Sequence, residues 1–363
     1  MTKKEYWYWL CHIDGLGSVR IKKLLDYFEE PEGIFRAGKT EMEACKILPS
    51  RLVESWYTAK KDAHKIVSGM ERLSQRGITF LSRDDPNYPE RLKEIYDPPC
   101  GLYVKGSMET FHRPCAAIVG ARQCTEYGRE AARYFGRVLA NAGFSIVSGM
   151  AVGIDAAGHR GALDGSHSTF AVLASNVDVC YPRENIGMYM EIQKRGAILS
   201  EFDGQKVVPG LFPLRNRIIS GMADCVLVIE AREKSGSLIT ADLALDQGRE
   251  VFALPGRICD PISSGCNELI KSGAQILTKP EDILSCFHME DKKNLNQTLK
   301  KEALSSMEEF VLGYLGPEEK HVEQLLYETG LPISALMEAL LQLEIKNYVR
   351  QPAKNYYSFI KFS

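Results

Sequence analysis

The stretch that decides the fold is residues 116–130, AAIVGARQCTEYGRE. Ala116 to Val119 form a short apolar run that ends at Gly120, and a helix-forming stretch follows Gly128. This is the strand–glycine–helix order of a dinucleotide-binding turn. The second glycine of that fingerprint, which lets a pyrophosphate approach bare backbone, is missing, and Arg122 stands in its place. A guanidinium there widens the cleft and adds a bidentate phosphate donor, which suits a row of separated phosphates better than one compact pyrophosphate. No clear Asp or Glu lies at a strand end about 20 residues further on, where an adenosine ribose would be held.

Outward from this turn, apolar runs alternate with helical patterns from Ala116 to about Thr278: AAIVG, FSIVSG, STFAVLA, AILSEF, CVLVIEA, EVFALPG and AQIL. Such alternation predicts an α/β fold, an extended Rossmann-like, mostly parallel sheet with helices on both faces. Residues 77–107 lead into it with strand-like ITFL and GLYVKG around a proline-punctuated helix. Before them, CHIDGLGSVRIKKLLDYF sets Ile13, Leu16, Val19, Leu24 and Leu25 around a Gly15-x-Gly17 turn, the pattern of a helix-hairpin-helix. Its amides either hold phosphate or merely turn a corner. A vaguer second copy begins near CKILPSRLVESW. The polar stretch HMEDKKNLNQTLKKE reads as a linker to three helical patterns and two short strands, Tyr348–Arg350 and Tyr356–Ile360, the order of a winged helix. Its presumed reading helix, SALMEALLQLE, is acidic and offers a groove no Lys or Arg, which favours a protein partner. The expected domains are 1–75 (helical, SAM- or helix-hairpin-helix-like), 76–287 (Rossmann-like), 288–300 (linker) and 301–363 (winged-helix-like).

The composition is that of a globular chain: 363 residues, 45% hydrophobic and 25% charged. A net charge of -2 excludes a uniformly basic nucleic-acid binder, so any anion site must be local. Ten cysteines without C-x-x-C or zinc spacing read as reduced thiols, and no signal-like or membrane-spanning apolar run is present. The expectation is a soluble cytoplasmic protein that needs no membrane.

In an open parallel sheet, ligands bind beyond the carboxyl ends of the strands. Arg122 follows the first such end, with Thr125 as a helix cap and Tyr127-Gly128 beyond. Ser148-Gly149 ends the next, before Gly153 and a helix carrying Asp155 and His159 four residues apart. Two ligands without a third make a weak metal site. Asp155 is therefore read as favouring the helix start, His159 as packing beside it, and no metal is expected. The run EAREKSGSLIT places Lys234 ahead of Ser235-Gly236-Ser237 at a helix start, a phosphate grip made of point charge, amides and hydroxyls. It lacks Walker A spacing, so ATP loses support. In PGLFPLRNRIISGMAD, Phe212 stands beside Arg215, Asn216 and Arg217, as in stacking platforms for single-stranded nucleic acid, although Phe212 alone would read as core.

In this order IVGARQCTEYG, IVSGMAVGIDAAGH, FPLRNRIISGMAD, VLVIEAREKSGSLITADLALDQGREVFALPG and GCNELIKSGA closely resemble the DNA-processing protein A family, DprA or Smf. The resemblance implies a cytoplasmic protein that binds single-stranded DNA. It would protect incoming DNA during natural transformation, load RecA onto it, and displace or work alongside single-strand binding protein. Carried over by position, the DNA-binding residues would be Gly120, Arg122, Ser148, Gly149, Phe212, Arg215, Asn216, Lys234, Gly236 and Ser237. No catalytic residue or cofactor is implied, and a homodimer would form around GCNELIKSGAQIL. Family members often carry a basic residue just before F-P-x-R-N-R, where this chain has Pro209-Gly210-Leu211; Lys206 would have to reach the same phosphate. The alternative is an enzyme, a LOG-like nucleoside-monophosphate phosphoribohydrolase on the same scaffold. Its P-G-G-x-G-T-x-x-E run is absent, and EAREKSGSLITADLA stands there.

Overall fold

The computed structural model describes residues 1–107, 109–204, 207–289, 304–316, 319–346 and 348–359. The chain divides into two compact units, Met1–Glu290 and Asp291–Ser363. Apart from His288 and Met289, the expected linker lies outside the described residues.

The first unit begins with six helices: α1 (Lys3–Cys11), α2 (Ser18–Phe28), α3 (Pro31–Arg36), α4 (Lys39–Ala44), α5 (Ser50–Lys61) and α6 (Ala63–Gln75). Thr2 and Glu5 close a capping box on α1. Gly15 turns the chain at a φ of 76°, and Gly17 caps α2. The indole nitrogens of the buried Trp9 and Trp56 donate to the carbonyls of Ala59 (2.8 Å) and Ile34 (3.2 Å).

A nine-stranded sheet follows: β1 (Thr79–Ser82), β2 (Gly101–Gly106), β3 (Cys115–Val119), β4 (Ser145–Ser148), β5 (Thr169–Val172), β6 (Ala197–Ser200), β7 (Cys225–Val228), β8 (Glu250–Ala253) and β9 (Gln275–Ile276). Its order is β1-β2-β6-β5-β4-β3-β7-β8-β9. Every pair from β6 to β9 is parallel, and only β1 and β2 join antiparallel. The seven apolar runs of the sequence are β3 to β9. The proline-punctuated helix is α7 (Glu90–Lys93). The connecting helices are α8 (Glu126–Asn141), α9 (Ile154–Asp164), α10 (Ile186–Arg195), α11 (Leu211–Met222), α12 (Gly236–Asp246), α13 (Ser264–Lys271) and α14 (Glu281–Cys286).

Alternation along the strands feeds two cores. Ala171 and Ile198 enter one, together with Trp9, Leu24 and Trp56 of the N-terminal helices. Phe170, Val172, Ala197 and Leu199 enter the other, with Ile218 and Ile219 of α11 and Ala241 and Ala244 of α12. The N-terminal helices thus share a core with the sheet.

The second unit comprises α15 (Ser306–Tyr314), β10 (Lys320–His321), α16 (Val322–Thr329), α17 (Ile333–Ile345), β11 (Val349–Ala353) and β12 (Tyr356–Phe359). Its sheet runs β10-β12-β11, and Val311, Leu325, Leu336, Leu340 and Leu343 form its own core. This is the winged helix anticipated from the sequence, with β10 as an addition that two residues could not announce. Among the described residues, no helix is long and apolar enough to cross a membrane.

Candidate nucleic-acid interface

Between β3 and β7 the strand order reverses, and the loops leaving their carboxyl ends part to open a crevice. Gly120 ends β3 where a Cβ would lie 2.7 Å from Ile154 Cγ1 and 2.9 Å from the Glu230 carbonyl oxygen, so only glycine lets the two turns pack. Thr125 caps α8, its hydroxyl accepting from the Gly128 amide at 3.0 Å. The buried Glu230, just after β7, binds Thr125 twice: it accepts from the amide at 2.8 Å and from the hydroxyl. Gly128 makes room for that carboxylate, since a Cβ would stand 2.4 Å from Glu230 Cδ. The loop bearing Arg122 is therefore pinned at both ends.

Arg122 itself is exposed and makes no ion pair among the described residues. Its Cζ lies 5.3 Å from the ring centroid of Phe212 in the first turn of α11, a cation–π distance. Together with Gly120, Arg215, Asn216, Ser235, Gly236 and Ser237 these residues line a cavity of about 290 Å³. Ser235 caps α12, its Oγ 2.7 Å from Ser237 Oγ, and Asn216 Nδ2 donates to the Gly236 carbonyl at 3.3 Å, holding α11 to α12. Lys234 is exposed and immediately precedes the rim, but does not line the cavity.

Three expected residues work beneath this surface instead. Arg215 is 5% exposed and donates to the carbonyls of Gly149 (2.9 Å) and Val172. Burial lowers its pKa to about 10, opposed by the nearby Asp155 charge and reinforced by Arg122. Gly149 leaves space for the guanidinium, a Cβ falling 2.4 Å from Arg215 Nη1, and its amide donates to Asp155 at 3.2 Å. The Ser148 hydroxyl is buried and donates to the Ile118 carbonyl at 2.6 Å. Arg217 does not flank Phe212 as the sequence suggested: two residues beyond Arg215, it turns to ion pairs with Asp97 (2.8 Å) and Glu201 (2.6 Å). Lys206 lies outside the described residues.

Asp155 and His159 are packing groups. Asp155 receives the amides of Gly149 and Ala151, and the buried His159 places Nδ1 2.7 Å from Thr169 Oγ1. Burial, aided by the Arg215 charge, lowers the His159 pKa to about 3, which keeps the ring neutral. The described residues contain no cluster of three or more His, Cys, Asp or Glu able to hold a metal.

Sequence reasoning missed Tyr181. It is 45% exposed on the loop after β5, with its ring centroid 6.1 Å from that of Phe212. Arg122, Phe212 and Tyr181 thus form a short ladder across the cleft mouth. The only local hint was an aromatic followed by proline in the loop SNVDVCYPREN.

An open α/β sheet with arginine, aromatic rings and a serine–glycine helix start converging at its switch point defines a Rossmann-like protein, and the same chain carries a winged helix. Residues 79–288 match the family model of DNA recombination-mediator protein A, and residues 297–353 that of the DprA winged helix domain. Protein Smf of Synechocystis sp. is 31% identical across 97% of this chain and 98% of its own. The X-ray structure of DNA processing protein A from Streptococcus pneumoniae superposes with a TM-score of 0.68 at 34% identity, over 78% of this chain and 98% of that one. The protein of the same name from Helicobacter pylori, whose structure concerns its single-stranded DNA binding mode, gives 0.53 at 31% identity over 58% and 95%. The chain belongs to the DNA-processing protein A (DprA/Smf) family.

Proposed function

We propose that this protein binds single-stranded DNA along the cleft between β3 and β7, as part of DNA processing in natural transformation. The observation that carries the proposal is the exposed, unpaired Arg122 standing over Phe212 at the cleft mouth. Arg122 and Lys234 would each take a phosphate, and the amides and hydroxyls of Ser235 to Ser237 a third at the start of α12. Unpaired bases would stack on Phe212 and Tyr181, worth roughly 1–3 kcal/mol each. Gly120 and Asn216 shape the wall, while Arg215, Ser148 and Gly149 hold its floor. The site is one of binding rather than reaction, with neither catalytic residue nor cofactor.

Family membership supports the wider role: protecting incoming strands, delivering them to RecA, and acting with or against single-strand binding protein in the cytoplasm. A homodimer through α13 and the exposed edge strand β9 belongs to the same proposal.

The test is a titration of matched single- and double-stranded oligonucleotides with the parent chain and Arg122→Glu at several salt concentrations. Single strands should bind more tightly than duplex regardless of sequence. Arg122→Glu should weaken that binding and flatten the log–log salt slope by roughly 0.7, the share of one phosphate contact. Equal affinity of parent and variant would remove the cleft from the binding surface. RecA assembly on single strands precoated with single-strand binding protein, followed with and without the chain, tests the loading step.

A further inference from the structure

Helix α17 occupies the place where many winged helices carry a DNA-reading helix, yet its surface is built for something else. Its inward face is closed by Leu336, Ala339, Leu340 and Leu343, all buried in the core of the second unit. Its outward face presents Ile333 (62% exposed), Met337 (37%), Leu341 (54%) and Ile345 (63%), one every four residues. At 100° per residue, steps of four drift by about 40°, so the four side chains form a continuous band roughly 18 Å long. Single exposed apolar residues are ordinary on a protein surface, whereas a contiguous band along one helix marks a contact site.

The charge around the band selects among occupants. Helices α16 and α17 carry Glu323, Glu328, Glu338 and Glu344 and contain no Lys or Arg. Among the described ion pairs, Glu328 meets Lys320 at 2.6 Å and Glu323 lies 3.7 Å from His321 Nδ1, whereas Glu338 and Glu344 have no cationic partner. A phosphate backbone would meet uncompensated carboxylates and no donor cation. A second copy would bring acidic rim against acidic rim in a two-fold contact. An apolar helical segment with Lys or Arg on its flanks satisfies both the band and the rim.

We infer that the outward face of α17 is a docking surface for a basic amphipathic helix of another protein, with Ile333, Met337, Leu341 and Ile345 as its apolar floor and Glu338 and Glu344 as its charge selector. This surface belongs to the second unit and the DNA cleft to the first, and the winged helix becomes a partner-binding module.

Fluorescence anisotropy on the full chain tests it. The probe is a labelled 14-residue helical peptide with leucines along one face and lysines on the other, beside an otherwise identical peptide with glutamates for lysines. The lysine peptide should bind at least tenfold more tightly than the glutamate peptide. The double variant Met337→Ser/Leu341→Ser, which alters no charge, should weaken it at least tenfold with thermal unfolding and oligonucleotide binding unchanged. Glu338→Gln with Glu344→Gln should weaken the lysine peptide alone. Equal binding of the two peptides would overturn the inference, as would indifference to the serine variant. So would self-association, or duplex DNA binding, that the serine variant abolishes.

Discussion

Arg122 and Arg215 meet at one aromatic ring, with guanidinium carbons 5.3 and 5.9 Å from the centroid of Phe212, but their surroundings give them opposite tasks. Arg122 is solvated and loses nothing by meeting a phosphate. Arg215 is buried, with Nη1 donating to the Gly149 and Val172 carbonyls and Nε to Asn216 Oδ1, so it holds the floor of the cleft. Replacing Phe212 or Tyr181 by Ala should therefore weaken single-strand binding about five- to hundredfold, the equivalent of one stacked base, without moving the unfolding midpoint. Arg215→Met should do the reverse first: it strands the buried carbonyls of Gly149 and Val172 and leaves Asp155 without its neighbouring charge. Denaturant titration should show a loss of about 2–5 kcal/mol. His159 supplies a pH signature. Its folded pKa of about 3 lies below the ordinary 6.5, so protonation favours the unfolded chain. The associated stability is complete above pH 6.5 and falls as pH drops from 6.5 towards 3, by about 1.4 kcal/mol per unit within that window. His159→Gln should remove that component, read as the difference between parent and variant unfolding curves at pH 7.5, 5.5 and 4.5; parallel curves would exclude it.

At the scale of elements, the link between β7 and α8 shows how tightly the cleft wall is built. Gly128→Ala drives a methyl group into the Glu230 carboxylate that holds Thr125, an overpacking cost of about 1–3 kcal/mol. A lowered melting temperature and weakened single-strand binding should appear together, because the Arg122 loop hangs from the same carboxylate. The strands were legible because each is a short apolar run bounded by glycine or polar residues, and buried parallel strands read that way. Thr125 was legible as a cap, and Arg122 as a departure from a glycine pattern. The division of labour within α11 was not. Arg215 and Arg217 differ by two positions, or about 200° around a helix, and local sequence does not say which side faces solvent when both sides face protein. Tyr181 was hidden for another reason: it approaches Phe212 across 31 residues of chain, through a loop whose path depends on the sheet.

For the molecule as a whole, the seam between the N-terminal helices and the sheet matters more than any boundary drawn in sequence. Tyr8 of α1 meets Phe80 of β1 edge to face at 5.0 Å, Phe80 lies 5.6 Å from Tyr103 of β2, and the Tyr103 hydroxyl is 3.1 Å from His12 Nε2. Arg76 reaches Asp178 on the loop after β5, and Lys105 reaches the same carboxylate at 2.5 Å. The family match nevertheless begins at residue 79, in the middle of this seam. A protease site engineered after the exposed Gly77 would thus sever the peptide without parting its products. The two fragments should travel through gel filtration as one particle and come apart only in denaturant, like two halves of a dovetail joint whose glue line was never what held them.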